Sequence, residues 1–133
     1  MSEPRRAFDY VLVQVVPRVD RDERLNVGVI LFCPAAAWLG CRFALDEARL
    51  RAFAPTLDVA AVASQLEAIR AVCAGDATAG EIAALTPSER FHWLAATRST
   101  VVQTGPGHAG LSDDPAAALE RIFEAAVGVS SAT

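Results

Sequence analysis

Arg21, Glu23, Arg24, Asn26 and Gly28 lie within one short polar segment and are of the types that act on a phosphorylated or nucleotide substrate. Glu23 could serve as general acid or base, while Arg21 or Arg24 would clamp a phosphate with a planar donor fork. Asn26 would orient that group. Gly28, inside a strand pattern, suggests a bulge or a close approach by another backbone or a ligand. The same residues suit a second use, as a charged edge on which a partner protein docks. Arg18, Arg21 and Arg24 are balanced by Asp20, Asp22 and Glu23, so the segment is locally neutral. Neutrality weakens phosphate binding and favours ion pairs within the loop, each worth about 0–1 kcal/mol when exposed. A solvated hairpin loop is the plain reading and a recognition edge the sharper one. Asn26 is expected to satisfy backbone groups at the turn into the strand.

Other chemistry is thinner. His92 and His108 are far apart in sequence, whereas a zinc site draws on three or four ligands, commonly in close-spaced pairs. Cys33, Cys41 and Cys73 contain no C-x-x-C pair and read as buried free thiols of a reducing compartment. Cysteine–histidine catalysis needs a proximity that spacing does not supply. "GPGHAG" (Gly105, Gly107, Gly110) fits G-x-G-x-x-G literally, but that fingerprint also needs a helix opening at its glycines. The next helix signal comes only at Pro115, and Pro106 removes a donor that a phosphate nest would use. The stretch reads as a connecting loop. No catalytic residue, metal or cofactor is expected.

The elements that must position the polar segment are strands. Phe8–Val16 places Val11, Val13 and Val15 on one face and Tyr10, Leu12, Gln14 and Val16 on the other, with Pro17 ending the ladder. Val27–Cys33 sets Val27, Val29, Leu31 and Cys33 opposite Gly28, Ile30 and Phe32. Both strands are apolar on both faces, as at the middle of a covered sheet. A turn at "CPAAAW" leads to a third strand, Trp38–Leu45, with Leu39, Cys41, Phe43 and Leu45 on one face. Pairing about "PAAA" sets Cys41 nearer Ile30 or Leu31 than Cys33, which argues against a cross-strand disulfide. Such short intervals allow only antiparallel connections.

Helices follow. Asp46–Phe53 stops before Pro55, and Asp58–Ala74 carries a stripe of Val59, Val62, Leu66, Ile69 and Cys73, capped by Asp58 and ended by Gly75. "TPSER" spells a capping box, Thr86 with Glu89, opening a helix through Ala96. Thr100–Thr104 reads as a strand, and Pro115–Val127 as a helix capped by Asp114 and closed by Gly128. The fold class is α+β: an antiparallel β-meander of three N-terminal strands plus a fourth late strand, packed with three to four helices. One domain spans residues 1–133, with an ordered core over about 8–128 and flexible termini.

Bulk properties narrow the function classes. With 133 residues, 53% of them hydrophobic, the chain can build a core without metal or disulfide. A net charge of −4 and the lack of a basic recognition helix argue against nucleic acid, including an antitoxin-like DNA-binding role. All twelve basic residues are arginine, a choice that fits a GC-rich coding bias. "MSEPRRAFDY" has no apolar run of the kind a secretion signal needs, and no stretch approaches a membrane span, so the cytoplasm is expected.

"ERLNVGVILF" resembles the E-x-x-N-V-G-V signature of domain-of-unknown-function family 3037, a set of small bacterial proteins. "YVLVQVVP" and "DDPAAALERIFEAAV" resemble that family's first strand and last helix, so the likeness runs from about Tyr10 to Val127. The resemblance brings no established activity. It implies genomic company, since such proteins are often encoded beside a HipA-like kinase, and it marks Glu23, Asn26 and Gly28; Arg21 and Arg24 join them on charge and spacing. The leading expectation is a non-enzymatic partner or regulatory protein acting with such a kinase. The alternative is the enzyme outlined above, which requires its side chains to converge in one pocket. A homodimer is a further expectation, because the early strands carry apolar residues on both faces.

Overall fold

Beta-branched residues crowd the first part of the chain and favour extended backbone. In the computed structural model, which describes residues 4–96 and 101–128, they form the expected meander. β1 (Arg6–Val15) pairs antiparallel with β2 (Leu25–Cys33), and β2 with β3 (Trp38–Phe43). Cys41 stands opposite Ile30 and all three cysteines are free thiols. Along the other flank of β1, β4 (Val102–Thr104) pairs with Val13–Val15 and β5 (His108–Ser112) with Arg6–Tyr10. The sheet thus has five strands. "GPGHAG" is loop only at Gly105–Gly107; its second half is strand, and a Cβ on Gly110 would lie 2.5 Å from the Phe8 ring. Thr100 and the two chain ends, on which expectations were also placed, lie outside the described residues.

Among the described residues there are four α-helices: α1 (Glu47–Phe53), α2 (Val59–Ala74), α3 (Pro87–Ala95) and α4 (Pro115–Ala126). Asp58, Thr86 and Asp114 open their helices as read from the sequence, and Asp46, expected as the first residue of α1, is instead its cap. Asp46, Asp58, Thr86 and Asp114 accept from the backbone N–H three residues on, and Glu89 returns to Thr86 to complete the capping box. Gly75, at φ +70°, ends α2 in the left-handed conformation that glycine takes without cost.

The helices lie on both faces of the sheet. Leu50 of α1, five residues of α2 and Phe91 and Leu94 of α3 pack on Val11, Val13, Val15, Ile30 and Phe32. On the opposite face, Ala118, Leu119 and Phe123 of α4 pack on Phe8, Val29, Leu31 and Cys33. Helices of the same chain therefore cover both apolar faces of β2. Val27 departs from the expected alternation: it joins Ile30 and Phe32 rather than Val29. Val13 pairs with Gly28 but Gln14 with Asn26, so Val27 is an extra residue, a β-bulge that turns its side chain to the other layer.

Candidate functional site

The bulge lies where β2 leaves the polar segment. Between β1 and β2 the chain makes a short 3-10 turn at Val19–Arg21 and passes through Asp22 at φ 53°, a left-handed conformation that aspartate tolerates. Three ion pairs close this loop on itself: Arg18–Asp20 at 2.6 Å, Arg24–Asp22 at 3.1 Å, and Arg21, whose Nε donates to Glu23. All six side chains are exposed. Beside the loop is a cleft of about 440 Å³. Phe53, Ala54, Pro55, Leu57 and Val101 give it apolar walls, and Arg18, Arg21, Glu23 and Asp58 give it a charged rim.

Asn26 and Gly28 work elsewhere. Asn26 is half-buried, and its Nδ2 donates to the carbonyl of Ala126 at 3.2 Å, while its Oδ1 accepts from Gln14 at 3.0 Å. Arg49 donates to the Val127 carbonyl at 3.2 Å. The last carbonyls of a helix lack partners within it, so these two side chains complete the end of α4. The expectation that Asn26 serves its own turn is corrected: its partners are distant in sequence. At Gly28 the close neighbour is internal. A Cβ there would lie 2.0 Å from the Phe43 ring and 2.9 Å from the Arg42 carbonyl, so the missing side chain makes room for the edge strand.

Of the five residues singled out, only Arg21 and Glu23 share the cleft. Asn26 lines a hollow of about 260 Å³ with Asp46, Arg49 and Glu124, and Arg24 lines one of about 410 Å³ with Gln14 and Gln103. The acid/base, amide and second arginine of the enzymatic alternative therefore do not converge. Gln14, which sequence reasoning left as a face residue, links two of them by also accepting from Arg24 at 3.4 Å. Only cross-strand register could have revealed it.

Two further groupings escaped the sequence. His92 and His108 line one hollow of about 530 Å³ with Asp9 and Tyr10, and Tyr10 stacks on His108 at 5.0 Å. His92 Nδ1 sits 2.7 Å from the Ser88 carbonyl, to which it donates. No group of three or more His, Cys, Asp or Glu among the described residues is placed to hold a metal. The second grouping is a thiol pair. Half-buried Cys41 of β3 and buried Cys73 of α2 belong to one hydrophobic cluster. The neighbouring Cys73 thiol, helped by the charge of Arg70, holds Cys41 below the usual thiol range. Cys41 in turn, then burial, pushes Cys73 well above it.

A five-stranded antiparallel sheet between helical layers, with a self-paired charged loop beside an apolar cleft, defines a small α+β domain. Over residues 10–127 the chain matches the family described as protein of unknown function (DUF3037), and it belongs to that family. No curated protein and no solved structure matches it. The family match runs from within β1 to the end of α4, taking in both helical layers. Among the described residues, no helix is long and apolar enough to cross a membrane.

Proposed function

We propose that this protein is a non-enzymatic partner protein that docks another protein through the loop Arg18–Arg24 and the cleft beside it. One observation carries the reading: the cleft joins apolar walls to a charged rim, which is the anatomy of a protein interface. Fold stability does not account for the rim, because exposed ion pairs between near neighbours in a loop contribute about 0–1 kcal/mol each. Paired within the loop, Arg21, Glu23 and Arg24 are available to exchange partners when a complementary surface arrives, which favours fast and selective association. The family's genomic company makes a HipA-like kinase the partner to try first, and a cytoplasmic setting suits both that kinase and three free thiols. Asn26 and Gly28 support the platform from behind rather than meet the partner. A homodimer through the same loop is the other form of this reading, although the apolar strand faces that suggested a second copy are covered within the chain.

The test is co-purification and calorimetry of the two folded proteins, followed by Arg21→Glu with Glu23→Arg. Micromolar association, weakened at least about tenfold by the charge swap, is expected. No association at micromolar concentration overturns the proposal, as does binding indifferent to the swap.

A further inference from the structure

A second cleft, of about 580 Å³, lies between α2 and α3 and shares no lining residue with the one beside the charged loop. Its origin is a matter of side-chain size. Ser64, Ala68 and Ala71 recur at helical spacing along α2 and leave open the space that Trp93 of α3 borders. Ile69 and Val72, each 5% exposed, add apolar surface from beneath, while Trp93 is 48% exposed. A lone exposed tryptophan needs no explanation. One that walls a cleft with two buried aliphatic side chains offers a ligand apolar contact on two sides. The volume falls in the range of small-molecule sites, roughly 300–1,000 Å³, which combine apolar walls with a few placed polar groups.

The polar groups are specific. Glu67 and Asp76 are the ionisable residues that line the cleft, and both carboxyls are held below their usual range, by hydrogen bonds from Arg70 and from Thr78 respectively. Glu67 is fully engaged, since Arg70 donates to both of its oxygens at 2.6–3.1 Å. Asp76 is not. Half-buried after the end of α2, it accepts through Oδ1 from the Thr78 N–H at 3.0 Å and hydroxyl at 2.8 Å, and among the described residues nothing donates to its Oδ2.

We infer that this cleft binds a small organic cation, an ammonium group on an apolar body, whose ammonium donates to Asp76 Oδ2 while its body lies against Ile69, Val72 and Trp93. Charge complementarity selects that class. An anion would meet two carboxylates with no cation among the lining residues. A neutral ligand would strip water from Asp76 Oδ2 and leave it unpaired, which is costly for a charged oxygen. An ammonium satisfies it with a charge-assisted hydrogen bond, and the indole adds its own attraction for a cation.

The test is calorimetry of the full chain with phenethylammonium, set against phenethyl alcohol and the anion hydrocinnamate. A dissociation constant on the order of 100 μM is expected for the ammonium, a ligand of about nine non-hydrogen atoms. The alcohol and the anion should bind at least about tenfold more weakly. Asp76→Asn keeps an oxygen for Thr78, so the turn retains its cap, and it should weaken the ammonium about tenfold while leaving the alcohol unchanged. Ala68→Leu, at an exposed helix position, should fold by circular dichroism and abolish binding by filling the cleft. No saturable binding of the ammonium below roughly 10 mM overturns the assignment. So does equal binding of ammonium and alcohol, an affinity indifferent to Asp76→Asn, or binding that survives Ala68→Leu.

Discussion

At Gly28 one absent methyl group decides whether the edge strand can close on the sheet. A Cβ would stand 2.0 Å from the Phe43 ring and 2.9 Å from the Arg42 carbonyl. The ring sits at the end of β3 and can swing away at some loss of packing; the carbonyl belongs to the ladder and cannot. Gly28→Ala should therefore cost about 1–2 kcal/mol in urea unfolding, overpacking of about 1–3 kcal/mol being partly offset by the smaller chain entropy that alanine loses in a strand. In a Phe43→Ala background the cost should fall to roughly half, leaving the backbone contact. An equal cost in both backgrounds would remove the ring from the explanation. The sequence signalled this residue correctly as a close approach. What it could not show was the occupant, because that depends on cross-strand register, and register here is shifted by the Val27 bulge.

Among whole elements, α4 has an end that is completed from outside. Asn26 and Arg49 reach the Ala126 and Val127 carbonyls, so β2 and α1 hold the terminus that helix geometry leaves unsatisfied. Asn26→Ala would leave the Ala126 carbonyl and the Gln14 amide short of a partner. A loss of about 1–3 kcal/mol is expected, together with faster amide exchange confined to the last turn of α4. If stability stays within about 0.5 kcal/mol of the parent and exchange is unchanged, the side chain is free for a ligand and its place in the fold has been misjudged. Three helix starts were legible because each cap is local: Asp58, Thr86 and Asp114 act on N–H groups three residues away, as Asp46 also does at α1. The end of α4 was not, because its donors lie far back in the chain. Strand β5 was hidden for a different reason. Glycine at 105, 107 and 110 reads as loop, yet Gly110 is in a strand, where the Phe8 ring occupies the space a side chain would need.

For the molecule as a whole, the decisive feature is that two hydrophobic layers share one sheet. Ile30 and Phe32 face α2 and α3, while their immediate neighbours Val29, Leu31 and Cys33 face α4. Loosening one layer must therefore disturb the strand on which the other rests, and the layers should melt together. Phe123 is the place to press. It is 5% exposed, packs with Leu119 under the sheet, and carries the Arg42 guanidinium 4.8 Å above its ring. Phe123→Ala should cost about 3–5 kcal/mol, a large share of the roughly 5–15 kcal/mol that holds a domain together. The two tryptophans allow the layers to be followed separately. Trp38 packs against the α4 cluster, and Trp93 is exposed on α3. In Trp38→Phe and Trp93→Phe proteins carrying the Phe123 change, the single remaining fluorophore reports one layer at a time. Coincident urea midpoints, both lowered by the same amount, are expected of a sheet that couples its two faces. If only the Trp38 signal moves, α4 is a separable cover, and the platform behind the charged loop is β1–β3 with α1–α3 alone.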